Sequence, residues 1–167
     1  ALIVPAERSP SGEEMVYLGS AISEGGAGLA WVNLEGRKIG GRGWIGGNWT
    51  AAPFLAHDSG AKADAKIYAY VGATWTSSTD NRDMTHGELR ITGLSVEGDK
   101  AILKYPFTPP PSDGGDHHWM EQLGGLAARD GVIAASLNKL GFVLLVDAVS
   151  GVVTGKVPVE SPRGLAF

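Results

Sequence analysis

The chain has 167 residues, is 43% apolar and 19% charged, and carries a net charge of −4, which describes one globular domain with enough apolar side chain to build a core. Its Lys and Arg residues are scattered, with only Arg37-Lys38 adjacent, so there is no basic face for a phosphate backbone, and nucleic acid is not expected as a partner. No apolar run approaches the roughly 18 residues of a membrane helix, and cysteine is absent, which excludes disulfides and thiolate metal sites.

The 25 glycines are about twice the usual share of roughly 7%. Together with 9 prolines they predict many tight turns between short strands rather than long helices. Ala1–Pro5 has neither the basic nor the long apolar region of a signal peptide. Asn48-Trp49-Thr50 matches an N-glycosylation acceptor, a tripeptide that also arises by chance.

In chain order, Leu2–Val4 reads as a stray apolar strand, followed by strands at Met15–Ser20, Gly28–Leu34 and, after the turn Glu35-Gly36, Arg37–Arg42. A second group comprises Ala51–His57, the turn Asp58-Ser59-Gly60, Lys66–Ala73, Glu88–Leu94, the turn Glu97-Gly98-Asp99 and Ala101–Tyr105. Here Asp58 is expected to bond its own turn backbone ahead of Gly60. The third group is the cleanest: Gly124–Arg129, the turn Asp130-Gly131, Val132–Leu137, the turn Asn138–Gly141, Phe142–Asp147, the turn Ala148–Gly151, and Val152–Val157. Four strands of about six residues joined by short turns make an antiparallel meander.

The three groups repeat. Asn33–Gly36, Leu94–Gly98 and Asp147–Gly151 all occupy the third-to-fourth strand turn, with their glycines 62 and 53 residues apart. Those spacings exceed the roughly 40–50 residues of a compact repeat unit because some loops are long.

Residues 123–167 carry a resemblance. The runs Leu123-Gly124-Gly125-Leu126-Ala127, Asp130-Gly131-Val132-Ile133, Leu144–Ala148, Ser150–Gly155 and Pro162–Phe167 resemble the blade consensus of the NHL, YVTN and PQQ-type bacterial β-propellers. The likeness is fair over residues 51–107 and weak over 1–42. It implies an all-β, propeller-like fold of about three four-stranded antiparallel blades, at roughly residues 1–43, 44–107 and 120–158 of a single domain spanning 1–167. Residues 159–167 then start a further blade, and the fold is incomplete as a single chain, since closed propellers have at least about four blades. An ordinary β-sandwich with similar turns is the alternative. The resemblance implies a fold and no reaction. Self-association, or a missing remainder of the propeller, is the expected consequence of unpaired end strands.

In such a meander the second-to-third strand loops and the interblade loops leave by one face. Those loops are Ala21–Ala27, Thr74–Gly87 and Asn138–Gly141, with Gly43–Thr50 and Thr108–Gln122 between blades. The two longest hold the candidate ligand-binding residues Trp75, Trp119, Asp80, Arg82, Asp83, His86, Asp116, His117 and His118. Exposed indoles stack on sugar faces while Asp and Arg bond hydroxyls. Trp44 and Trp49 fit either that role or a wedge between blades, and Trp31 reads as core.

No catalytic set emerges. The pair His117-His118 points to opposite sides of an extended segment, no HExxH spacing exists, and Asp80-Asn81-Arg82-Asp83 lacks the Gly and trailing Glu of a calcium loop. Ser77, Ser78 and Ser112 have no nucleophile-elbow context. Gly40-Gly41-Arg42-Gly43 is no phosphate loop and is expected to serve close backbone approach. No metal and no cofactor are therefore expected.

The functional expectation is a non-catalytic binding and assembly module of an exported protein, extracellular or periplasmic, contacting a glycan or protein partner through the Trp- and Asp-rich loop face. The alternatives are part of a carbohydrate-active hydrolase or lyase with its site on that face, and a structural subunit of a polymer or fibre. No membrane span is expected.

Overall fold

A computed structural model describes residues 1–9, 12–22, 26–46, 54–58, 66–73, 87–95, 98–107, 123–138 and 140–167. Among them there are twelve strands and a single 3-10 turn at Ala6–Arg8, with no α-helix. The chain is all-β, and among the described residues no helix is long and apolar enough to cross a membrane.

The strands form three four-stranded antiparallel sheets, each a meander in chain order. Sheet I comprises β1 (Leu2–Val4), β2 (Met15–Ile22), β3 (Gly26–Asn33) and β4 (Lys38–Gly46). Sheet II comprises β5 (Phe54–His57), β6 (Ile67–Ala73), β7 (Gly87–Ser95) and β8 (Gly98–Phe107). Sheet III comprises β9 (Leu123–Arg129), β10 (Val132–Leu137), β11 (Phe142–Asp147) and β12 (Val153–Pro158). The expected stray strand Leu2–Val4 is in fact the first strand of sheet I, with Ile3 opposite Val16 and Val4 opposite Met15. Its three residues are too few to announce a strand by periodicity, and pairing with β2 is what holds them extended.

Two stretches read as loops are partly strand. Ala21 pairs with Ala27 and Ile22 with Gly26, so β2 and β3 extend into the expected Ala21–Ala27 loop. Likewise β4 continues through Gly43 and Trp44 to Gly46. Glycine-rich composition signals a turn, but here backbone pairing decides, and the missing side chains serve close packing. A Cβ on Gly40 would stand 2.5 Å from the Trp31 ring, which lies opposite Gly40 on β3. This agrees with the close-approach expectation for that run.

The sheets stack in the order I, II, III, with β1 against β5 and β5 against β9. Period-two alternation assigns each side chain to one face. Between sheets I and II, Val4 and Met15 meet Ile67, while Leu29, Tyr17 and Trp31 pack around Ala69 and Leu55. The Tyr17 and Trp31 rings lie 6.4 Å apart, tilted by 36°. Between sheets II and III, Ala56, Tyr68, Ile91 and Leu103 meet Leu126, Ile133, Ala135, Leu144 and Val146. Sheet II is thus covered on both sides, which is why Ile67-Tyr68-Ala69 is buried without interruption rather than in alternation.

The third-to-fourth strand turns are built alike in sheets I and III. In sheet I the Asn33 side-chain oxygen accepts from Arg37 N at 3.0 Å, and Gly36 N donates to Asn33 O. In sheet III the Asp147 carboxylate accepts from Val149 N, Ser150 N and the Ser150 hydroxyl, and Gly151 N donates to Asp147 O at 2.8 Å. Both turns end on a glycine of positive φ, +78° at Gly36 and +72° at Gly151.

The segment after β12 turns back over sheet III. Val159 N donates to Gly141 O and Gly164 N to Gly124 O, while the Asn138 amide donates to Pro162 O. Pro162 is buried there, and a Cβ on Gly125 would collide with Gly164. Residues 159–165 therefore lie against the end of sheet III formed by Gly124, Gly125, Asn138 and Gly141.

Candidate functional site

The first strands of sheets II and III run in the same direction, joined by a parallel bridge between Asp58 and Ala128. Each meander consequently has two distinct edges. The strand ends Ala73, Gly87, Phe107, Leu123, Leu137 and Phe142 stand on one edge. The strand ends His57, Ile67, Arg129, Val132, Asp147 and Val153 stand on the other.

The sequence-derived candidates sit in the segments that leave the first edge. Trp75, Asp80, Arg82, Asp83 and His86 fall between Ala73 and Gly87, and Asp116, His117, His118 and Trp119 fall between Phe107 and Leu123. All nine lie outside the described residues, as do Trp49, Ser77, Ser78 and Ser112. Trp44 lies on β4, not in an interblade loop, and Trp31 packs into the core between sheets I and II. Among the described residues no three His, Cys, Asp or Glu side chains converge to hold a metal ion.

The opposite edge is described in detail and holds a polar cluster that sequence reading did not foresee. Asp58 follows the last residue of β5. Its Oδ1 accepts from Asp130 N and its Oδ2 from Gly131 N, each at 2.7 Å. Its carboxylate thus clamps the β9–β10 turn of the next sheet, while the expected bond within its own turn ahead of Gly60 falls outside the described residues. The reason is tertiary, since the parallel approach of β5 to β9 brings that turn within reach. Gly131 O in turn accepts from Ala148 N at 2.9 Å, linking both turns of sheet III at this edge. Charge-assisted bonds from backbone N–H groups to a carboxylate are among the stronger neutral-to-ion contacts.

Tyr68 lies beneath this edge, only 1% exposed, between sheets II and III. Burial, reinforced by the carboxylates of Asp58 and Asp147, pushes its phenol up to about 12. It is a neutral hydroxyl at any physiological pH and offers no base there. The Asp147 carboxyl is held below its ordinary value, first by the Ser150 backbone N–H and then by the Ser150 hydroxyl. These residues perform structural chemistry, in which fixed anions terminate turns and lock one sheet to the next. Their signal in the sequence was the aspartate at the end of a first strand paired with an Asp-Gly turn in the following unit.

No family model matches the chain, and no curated protein matches it.

Proposed function

We propose that the three sheets are propeller-type blades, and that the chain is a non-catalytic binding and assembly module of an exported protein. It contacts a glycan or protein partner through the Trp- and Asp-rich segments 74–86 and 108–122. The observation that carries this reading is that the strand ends bounding both segments share one edge of stacked sheets whose first strands are neighbours. Two long connections leaving one edge are the usual means by which a rigid scaffold presents a binding surface. Their content suits a planar polar ligand: indoles at Trp75 and Trp119 for stacking, with Asp80, Arg82, Asp83, His86, Asp116, His117 and His118 for hydroxyl groups. The propeller reading itself is supported by the repeated meander, the repeated third-to-fourth strand turn and the serial packing of first strands. An extracellular or periplasmic location accords with the absence of cysteine and the abundance of glycine and tryptophan.

The test is affinity electrophoresis against a panel of soluble polysaccharides, followed by titration calorimetry on any that retard the protein. Trp75→Ala and Trp119→Ala are each expected to weaken binding tenfold or more, about 1.4 kcal/mol. Wild-type affinity in the double variant would remove this surface from consideration. New reducing ends or unsaturated products released from a polysaccharide would replace the reading with that of a hydrolase or lyase.

A further inference from the structure

Two Asp-Gly pairs occur in the sequence, Asp113-Gly114 and Asp130-Gly131, and the second lies among the described residues. An aspartate followed by glycine is prone to a backbone rearrangement, because glycine has no Cβ to shield its nitrogen from the preceding side-chain carboxyl. The glycine nitrogen attacks the carboxyl carbon and loses its proton, and water leaves. Water then opens the resulting succinimide ring. Breaking the bond from nitrogen to the side-chain carbon restores aspartate. Breaking the bond from nitrogen to the backbone carbonyl carbon gives isoaspartate, in which the chain runs through the former side chain.

Asp130-Gly131 is the whole of the loop between β9 and β10, since Arg129 pairs with Val132. Both residues have positive φ, +51° and +80°, as a type I′ turn requires. The Asp130 side chain is 65% exposed, with Arg129 Nε 3.4 Å from its carboxylate. The carboxyl carbon is therefore open to attack, and the nitrogen decides the outcome. Gly131 N donates to Asp58 Oδ2 and Asp130 N to Asp58 Oδ1, each at 2.7 Å. Gly131 O accepts from Ala148 N at 2.9 Å, so the glycine is fixed on both sides.

Ring closure requires the Gly131 nitrogen to give up its proton and turn towards the Asp130 carboxyl. Two features oppose this. The paired hydrogen bonds hold the peptide plane in place, and the negative charge of Asp58 disfavours an amide anion beside it. The nitrogen is available only when the turn opens away from sheet II.

We propose that Asp130-Gly131 is a site of spontaneous isoaspartate formation that the Asp58 carboxylate holds in check. The reacting group is the chain's own Asp-Gly peptide and the co-reactant is water. Isoaspartate lengthens the loop by one backbone atom, which a type I′ turn does not accommodate. A turn that has reacted therefore no longer presents its two N–H groups to Asp58, and this joint between sheets II and III stays open. The site lies on the edge opposite segments 74–86 and 108–122 and does not depend on a ligand there.

The experiment ages the full chain at neutral pH and physiological temperature and measures isoaspartate at position 130 by peptide mapping. The folded wild type is expected to react at least roughly 100-fold more slowly than the same chain unfolded in guanidinium chloride. Asp58→Ala is expected to accelerate the folded-state reaction roughly tenfold or more. Asp58→Asn, whose amide oxygen still accepts one N–H, is expected to fall between the two. Gly36→Ala strains a turn of sheet I without touching the clamp and is expected to keep the wild-type rate. Circular dichroism establishes that each variant keeps its strands, and Asp58→Asn carries the comparison if Asp58→Ala does not. A folded wild type that reacts as fast as the unfolded chain overturns the proposal. So do Asp58 variants that react at the wild-type rate or below it. Equal acceleration by Gly36→Ala and Asp58→Ala also overturns it, since the reaction would then run through global unfolding.

Discussion

Sheets I and III share a meander order and a turn design, yet their surroundings differ: sheet III buries Ala127, Ala134, Ser136 and Val143 on its face away from sheet II, though Val157 there is exposed, while sheet I presents Ile3 and Leu18 to solvent. Sheet III is also tied to sheet II by the Asp58 clamp, by the large cluster around Tyr68 and Leu144, and by the close fit of Gly151 on β8. Among the described residues, sheet I meets sheet II through two smaller clusters. The difference teaches that a repeated local design does not confer repeated stability. Each meander takes its stability from what covers it, because a two-faced sheet exposes apolar surface wherever a neighbour is lacking.

The largest expected effect sharpens that contrast directly. Leu144→Ala, at a fully buried position between sheets II and III, should cost about 2–5 kcal/mol by chemical denaturation. Leu18→Ala, at a position 41% exposed on sheet I, should cost less than about 1 kcal/mol. Equal losses would break the comparison.

The equivalent turns give the next test. Gly151 has positive φ, and a Cβ there would run into the Ile102 carbonyl of β8, whereas a Cβ on Gly36 meets nothing. Gly36→Ala should therefore cost only the left-handed backbone penalty of about 1–2 kcal/mol. Gly151→Ala should cost clearly more, since the turn must also withdraw from sheet II. A smaller loss at Gly151 than at Gly36 would show that the two sheets do not press together there.

Asp58→Ala removes two charge-assisted bonds and leaves the Asp130 and Gly131 N–H groups without that acceptor. A loss of about 1.5–3 kcal/mol is expected, with hydrogen exchange accelerating first in the β9–β10 turn. Uniform acceleration across all three sheets would argue against a local clamp.

The pH dependence should be the smallest effect at neutrality and grow at the extremes. Tyr68 is raised to about 12 in the fold against about 10 when unfolded. The folded state therefore holds its proton longer, and stability present below pH 10 is lost as pH rises from about 10 to 12, by roughly 2–3 kcal/mol. Tyr68→Phe should abolish that alkaline loss. At the acid end Asp147 is lowered, so its contribution is present above the unfolded carboxyl value near 3.9 and disappears as pH falls through its folded value. Asp147→Asn should flatten that acid limb, read as thermal midpoint against pH.

Much of the fold was legible from residues alone. Val132–Leu137 and Phe142–Asp147 were bounded correctly because apolar runs end at Asp-Gly and Asn-to-Gly turn signals whose backbone demands are strictly local. Leu2–Val4 was bounded correctly too, though its pairing with β2 was not read, and the Gly43–Gly46 end of β4 was missed because it is too glycine-rich to show a period. The Asp58 clamp was not foreseen because Asp130 lies 72 residues away in sequence. The nine loop residues proposed for ligand binding rest on residue type and on the edge from which their segments leave.

Residue order by itself determined the all-β class, the three repeated groups and the third-to-fourth strand turns, because strand alternation and glycine or asparagine turn chemistry act over a few neighbouring residues. Only the tertiary structure decided which apolar face each sheet covers and that Asp58 holds the following sheet. Those outcomes depend on how separate sheets approach one another, and such contacts join residues whose spacing in the chain carries no period to read.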